Sequence, residues 1–259
     1  MTLVVAPRSG PIPYIFLCVA TLGATVVAGC TSRPPILPDQ QPSAGPSAPV
    51  DAWTQLAGRV AAARDNRYVA SYLLRSRGRA DRTVTVTMAT DASWLVSIPG
   101  GALGGTADVA VASTQAGVYQ CALGTTASCV RVGSSDGGLP ARSDPRVQHL
   151  FTDWLGTLGN RAAAISVEAA ATLPGARGQC FSVEPSSAAL AAPVDPGVYC
   201  YDDNGTLTAA TLPLGTLTLA GAPAPAPPTV TLPGPVVPGT PLGTAAPPSP
   251  SGSASAKRT

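Results

Sequence analysis

Thr83-Val84-Thr85-Val86-Thr87-Met88, followed at a short interval by Trp94-Leu95-Val96-Ser97-Ile98, decides the fold. Apolar side chains fall on every second position. Val84, Val86 and Met88 therefore share one face of a strand, and Trp94, Val96 and Ile98 one face of the next. Pro99-Gly100-Gly101 stops the second strand. Strands joined by so few residues pair antiparallel. Outward from this pair, the same patterning predicts strands over 68–74, 109–111, 117–122 and 128–132. A second run is expected over 163–167, 179–183, 197–202, 206–211 and 217–219, with Asn204-Gly205 predicting a type I′ hairpin turn.

Two stretches repeat with a helical period instead. Trp53, Leu56, Ala57, Val60 and Ala63 line one helix face, with Asp51 as N-cap. Val147, Leu150, Phe151, Trp154, Leu155 and Leu158 form a broad apolar stripe, after a Ser143-Asp144 cap and with Pro145 in the first turn. Gly159-Asn160 closes it. Helix, strands, helix, strands implies an α+β domain: a curved antiparallel sheet with an N-terminal helix and a mid-chain helix packed on one face.

Composition sets the boundaries. The 259 residues are only 12% charged, with a net charge of +2, so no basic field suits nucleic acid. Of 28 prolines, six lie in 31–50 and eleven in 221–259, bracketing a middle with eight. The expected organisation is a leader over 1–29, a Pro-rich tether over 30–50, a folded domain over 51–220 and a disordered Pro-rich tail over 221–259. The heavy use of Ala, Gly, Pro and Arg suits a high-GC actinobacterium.

The leader carries Arg8, an apolar run through Ile15-Phe16-Leu17-Cys18-Val19-Ala20, and then Val27-Ala28-Gly29-Cys30. This last stretch resembles the lipobox of bacterial lipoprotein signals: a branched apolar residue, two small ones, then cysteine. The resemblance implies cleavage before Cys30, lipidation of its thiol and anchorage to the extracytoplasmic face of the cell membrane. Two acyl chains, at about 0.8 kcal/mol per buried methylene, make a stable anchor where one is marginal.

Removing Cys18 with the leader and lipidating Cys30 leaves Cys121, Cys129, Cys180 and Cys200 in an oxidising compartment. Three connectivities are open. Cys121–Cys129 and Cys180–Cys200 are favoured because each pair falls in adjacent strand-like runs. A structural zinc site would need closer Cys-x-x-Cys pairs.

Chemistry-bearing residues are sparse. His149 stands beside the apolar stripe, where a helix-surface or half-buried histidine is expected. Gly133-Ser134-Ser135-Asp136-Gly137, with Asp144 and His149 downstream, matches the Gly-x-Ser-x-Gly pattern of serine hydrolases. That motif requires a strand turning sharply into a helix, whereas Gly138-Leu139-Pro140 continues as loop. No catalytic residue, metal ligand or cofactor is assigned, and the chain is not expected to be an enzyme. Six of the sixteen basic residues cluster as Arg64, Arg67, Arg75, Arg77, Arg79 and Arg82. If the first strand continues, Arg75, Arg77 and Arg79 share a face suited to anionic headgroups, or simply form a solvated sheet end beside Asp81.

Taken together, the lipobox, tether, N-terminal helix, antiparallel strands, mid-chain helix and closing strands resemble the LolA-like half-barrel fold. Actinobacterial lipoproteins of the LppX and LprG type share that fold. The most similar part is Gly178-Gln179-Cys180-Phe181-Ser182-Val183 with Gly197-Val198-Tyr199-Cys200-Tyr201-Asp202 and Asn204-Gly205-Thr206-Leu207. The resemblance covers roughly residues 51–220. It implies a lipid or lipoglycan ligand held between sheet and helices and carried within the envelope; Trp94, Val96, Ile98, Phe151 and Trp154 are the expected lining, and core packing would explain them equally well. The paired cysteines and the long Pro-rich C-terminus depart from the pattern. The other reading is a non-catalytic scaffold with a filled core that binds envelope proteins.

Overall fold

The computed structural model describes residues 50–135, 137–186 and 192–247. The leader, the lipobox with Cys30 and nearly all of the tether lie outside the described residues.

Helix α1 spans Ala52–Asp65. The Asp51 carboxylate caps it, accepting from the Thr54 N–H at 3.0 Å and the Thr54 hydroxyl at 2.9 Å. Leu56, Val60 and Ala63 are buried. The first run of strands is β1 (Tyr68–Arg75), β2 (Arg82–Met88), β3 (Trp94–Ala102), β4 (Ala107–Thr114), β5 (Gly117–Ala122) and β6 (Ser128–Gly133). The second is β7 (Ile165–Ala170), β8 (Gln179–Pro185), β9 (Gly197–Tyr201), β10 (Leu207–Leu212) and β11 (Gly215–Leu219). A two-residue β12, Ala224–Pro225, follows.

All described strands join one curved, open antiparallel sheet of 12 strands. Its order is β6-β5-β4-β3-β2-β1-β11-β10-β9-β8-β7, with β12 also on β1. Each run is thus a meander, and the two meet in the middle where the first strand pairs with the last, Tyr72 opposite Leu219 and Leu74 opposite Leu217. The chain between β6 and β7 connects the two outer edges and carries the second helix.

Period-two patterning sorts the side chains as expected. Tyr72, Leu74, Val84, Val86, Val96, Ile98 and Val111 form one core with Leu56 and Val60 of α1 and with Leu150, Phe151, Trp154 and Leu158. The opposite sheet face carries two smaller clusters. One holds Ala110, Tyr119, Cys121 and Cys129, and the other Cys180, Cys200 and Ala209. Disulfides link Cys121 to Cys129 and Cys180 to Cys200, each directly across a strand pair.

Four local expectations are corrected. The mid-chain helix is not continuous: a 3₁₀ turn over Val147–Phe151 gives way to α2 over Asp153–Leu158, with Thr152 at φ −130°, ψ −105° between them. The apolar stripe is nonetheless buried throughout. Pro145 does not open it, because Arg146 sits in the left-handed region at φ +67° while the Asp144 carboxylate accepts the Arg146 N–H at 2.9 Å. The β9–β10 turn is not type I′, which needs positive φ at both central residues. Only Gly205 has it, at φ +78°, while Asp202 accepts from the N–H groups of Asn204 and Thr206, giving a three-residue loop with a glycine bulge. A side chain at Gly205 would also strike the α1 backbone, 2.2 Å from the Ala63 nitrogen. Strand β1 stops at Arg75, so Arg75, Arg77 and Arg79 do not share a strand face; Arg75 pairs with Asp81 at 3.1 Å and Arg77 lies in the turn beside Gly78, φ +71°.

The largest difference from expectation lies at the C-terminal side. Residues 221–247, expected to be disordered, form an ordered strap. Its carbonyls accept from the β2–β3 turn and from the sheet edge: Pro227 from the Thr90 N–H at 3.0 Å, Pro228 from the Asp91 N–H at 3.1 Å and Pro235 from the Cys129 N–H at 2.9 Å. Val236 bridges the β6 edge in parallel. Gln120, buried in β5, accepts the Leu242 N–H at 2.6 Å and donates to the Leu242 carbonyl at 3.0 Å. The physical reason is that proline has lost a donor but kept its acceptor, and a chain already stiffened by proline loses less entropy on docking.

Candidate functional site

The five residues expected to line a ligand site come together, but mostly as packed core. Val96 is 0% and Ile98 1% exposed on β3, while Phe151 and Trp154 are buried on the mid-chain segment. The Phe151 ring lies 5.0 Å from that of Tyr72. Trp154 is flanked by the His149 ring at 5.6 Å and the Arg146 guanidinium at 5.6 Å. Half-buried Trp94 and Phe151 do share a cavity of about 200 Å³, walled also by Met88 and Leu155 and rimmed by Arg64 and Arg67.

His149 is clamped between carboxylates. Its Nε2 lies 2.7 Å from Asp144 Oδ2 and its Nδ1 2.9 Å from Asp153 Oδ2. Burial lowers the imidazole pKa, but hydrogen bonds to Asp144 and then Asp153 outweigh it and hold the group up at about 9. Burial in turn raises Asp144, yet its bonds to His149, Gln148 and the Arg146 backbone leave it below the usual range. Ser135 lines a cavity of about 180 Å³ together with His149 and Asp153, so the hydrolase-like residues are neighbours in space. The geometry does not suit a nucleophile–base pair. Both ring nitrogens face carboxylates and the ring is cationic near neutrality, which leaves no lone pair to accept a serine proton. Among the described residues, 134–135 and 137–140 also run as loop rather than into a helix.

A third cavity, of about 340 Å³, opens where the β1–β2 turn, the end of β3, the segment before the 3₁₀ turn and the strap converge. Leu74, Ile98, Val147 and Leu214 supply apolar walls, and Arg79, Arg82, Arg146 and Asp144 the charge. Arg79 donates to the Gly104 carbonyl at 2.9 Å. Arg82 donates to the carbonyls of Pro99 at 3.1 Å and Gly100 at 3.3 Å, and to the Ser76 hydroxyl at 2.8 Å. Among the described residues no carboxylate makes a salt bridge with Arg79 or Arg82. Burial pulls the Arg82 pKa down, the nearby Arg79 charge pulls it further, and Asp108 opposes both. The arginine-rich stretch was visible in the sequence, but its use was not. A continuing strand would have aligned Arg75, Arg77 and Arg79, whereas the turn selects Arg79 and Arg82 and adds Arg146 from about 65 residues downstream.

Among the described residues there is no group of three His, Cys, Asp or Glu side chains able to hold a metal ion. No helix among them is long and apolar enough to cross a membrane. No protein-family model matches the chain, and neither does the sequence of any characterised protein.

Proposed function

We propose that this chain is a lipid-anchored, extracytoplasmic envelope lipoprotein with a LolA-like half-barrel, in which both helices pack on the inner sheet face and fill it. On this reading it is a non-catalytic binding scaffold. The observation that carries it is how tightly most of the expected lining and its neighbours are packed: Val84, Val86, Val96 and Leu158 are each 0% exposed, and the Phe151 ring lies 5.0 Å from that of Tyr72. A lipid carrier of this fold needs that volume open.

A carrier reading has two observations in its favour, the first being that Ile98, expected to touch lipid, walls the cavity of about 340 Å³. The cavity of about 200 Å³ between Met88, Trp94, Phe151 and Leu155 is mainly apolar, with arginines at its rim, and contains two of the residues expected to touch lipid. Native mass spectrometry of the gently extracted chain separates the two. The scaffold reading expects the mass of the chain with its covalent anchor alone. Co-purified lipid at one per chain would overturn it in favour of carriage. The same spectrum tests the anchor: Cys30→Ala should remove the diacyl mass and release the protein from membranes, and labelled lipid still attached would refute attachment at Cys30.

A further inference from the structure

The cavity of about 340 Å³ is built from four separate pieces of chain, and the guanidinium groups of Arg79 and Arg82 lie against its lining glycines, Gly105 and Gly100. We propose that it binds the phosphate group of a phosphorylated ligand through Arg79 and Arg82. The inference goes beyond the scaffold reading: binding of a soluble phosphate leaves that reading intact, whereas binding of a lipid headgroup would replace it with carriage.

Charge is the first argument. Asp144 is the one carboxylate on the wall, and its oxygens are already engaged: Oδ1 accepts from Gln148 at 2.6 Å and from the Arg146 N–H at 2.9 Å, and Oδ2 faces His149 at 2.7 Å. Arg146 shares its charge with Asp195. Arg79 and Arg82 hydrogen-bond to carbonyls and a hydroxyl, which orient a guanidinium without neutralising it, and the Asp108 charge acts on Arg82 without forming a salt bridge. Two like charges held side by side in a partly dry wall repel, and a bound anion removes that repulsion.

Geometry is the second. Backbone carbonyls fix Arg79 and Arg82 before any ligand arrives, so little side-chain freedom is lost on binding. Guanidinium forks match phosphate oxygens, and two of them side by side exceed what one carboxylate, with a single charge, can neutralise. The volume sits at the small end of the roughly 300–1,000 Å³ typical of small-molecule sites. It suits a phosphorylated headgroup or a small phosphate ester, with Leu74, Ile98, Val147 and Leu214 against the organic part.

The two sources are distinguished by calorimetric titration of the full mature chain with inorganic phosphate and, separately, with dihexanoyl phosphatidylglycerol below its micelle concentration. Saturable binding of at least one probe is expected, weakened roughly tenfold by Arg79→Gln, the scale of one lost charge-assisted contact. Arg77→Gln, in the same turn but outside the cavity, should leave it unchanged. Arg82→Lys, which keeps the charge but not the fork, should weaken it without unfolding the turn. Phosphate alone binding assigns a soluble phosphate; Arg79-dependent binding of the lipid alone or more tightly assigns a headgroup. No saturable binding of either probe, or equal loss with Arg77→Gln, would overturn the proposal.

Discussion

The two meanders solve the same problem differently. Each buries one face in the common core and carries a cross-strand disulfide on the other, but their outer edges are treated unlike. In the first meander the disulfide reaches the edge strand itself, and the strap hydrogen-bonds along that edge while Leu232 packs on the sulfur-bearing cluster. In the second meander the bridge lies one strand in from the edge, between β8 and β9, and its cluster is covered locally by Leu173 and Ala176 of the β7–β8 connection. The outer strand β7 alternates mostly half-buried and exposed residues and carries Glu168. One edge is therefore covered by distant chain, the other blunted by its own composition. Distance in sequence has a consequence: a cover supplied from about 100 residues away can be removed without touching the strand it protects.

Removing that cover is the strongest way to break the comparison. A chain ending after Ala220 loses the Pro235 and Val237 bonds to Cys129, the Leu242 bonds to Gln120 and the burial of Leu232. Burying one leucine contributes about 1.5–3 kcal/mol and each net hydrogen bond about 0.5–1.5 kcal/mol, so the loss should exceed about 3 kcal/mol. Hydrogen exchange should speed up at β5 and β6 and stay unchanged at β8 and β9. Uniform acceleration across both meanders, or none, would show that the strap is not an edge cover. This variant also removes Thr244 from the wall of the arginine cavity.

The disulfides give the next largest effect. In the chain-entropy model, separations of 8 and 20 residues correspond to about 2.5 and 3.3 kcal/mol. Paired Cys→Ala replacement should therefore cost more at Cys180–Cys200 than at Cys121–Cys129, read as the shift in urea midpoint. If the order reverses, docking of the strap depends on the first bridge, and the two halves of the first meander's cover act as one unit. Peptide mapping without reductant checks the pairing, and a Cys121–Cys180 link would contradict it.

What could be read beforehand follows from how local each signal is. The alternation from Thr83 to Met88 specifies β2 because one face must be buried whatever the partner is. The cysteines could be paired because neighbouring strands bring them opposite one another. The strap was illegible for the converse reason: its bonds are proline carbonyls accepting from Thr90, Asp91 and Cys129, and nothing in a Pro-rich tract says that such donors wait elsewhere. The break at Thr152 was hidden because spacings of three, as in Val147–Leu150 and Trp154's distance from Phe151, serve a 3₁₀ turn as well as an α-helix. The arginine cavity required knowing where β1 stops. Gly78 and the Ser76 hydroxyl on the Leu214 carbonyl end it, and that second contact spans 138 residues.

The smallest effect concerns the segment that joins the two edges, and it sharpens the comparison by asking what holds that segment down. Asp144, His149 and Asp153 tie the 3₁₀ turn to α2. A histidine raised from its ordinary value to about 9 stabilises the fold fully below about pH 6.5, and that contribution is lost as pH rises through 9. Asp144, depressed in the fold, acts in the opposite sense: its contribution is present above the ordinary carboxylate range and lost as acid protonates it. The segment should be held best between those limits. Buried Tyr68, pushed up to about 12, does not titrate in this window. Thermal melting at matched ionic strength should show Tm falling by several degrees from about pH 6.5 to about pH 10, at about 2–4 °C per kcal/mol for a domain of this size. His149→Gln should melt lower at pH 6.5 but lose most of that slope. An unchanged slope in the variant would place the alkaline transition elsewhere and leave the clamp without a role in holding the connection between the two meanders.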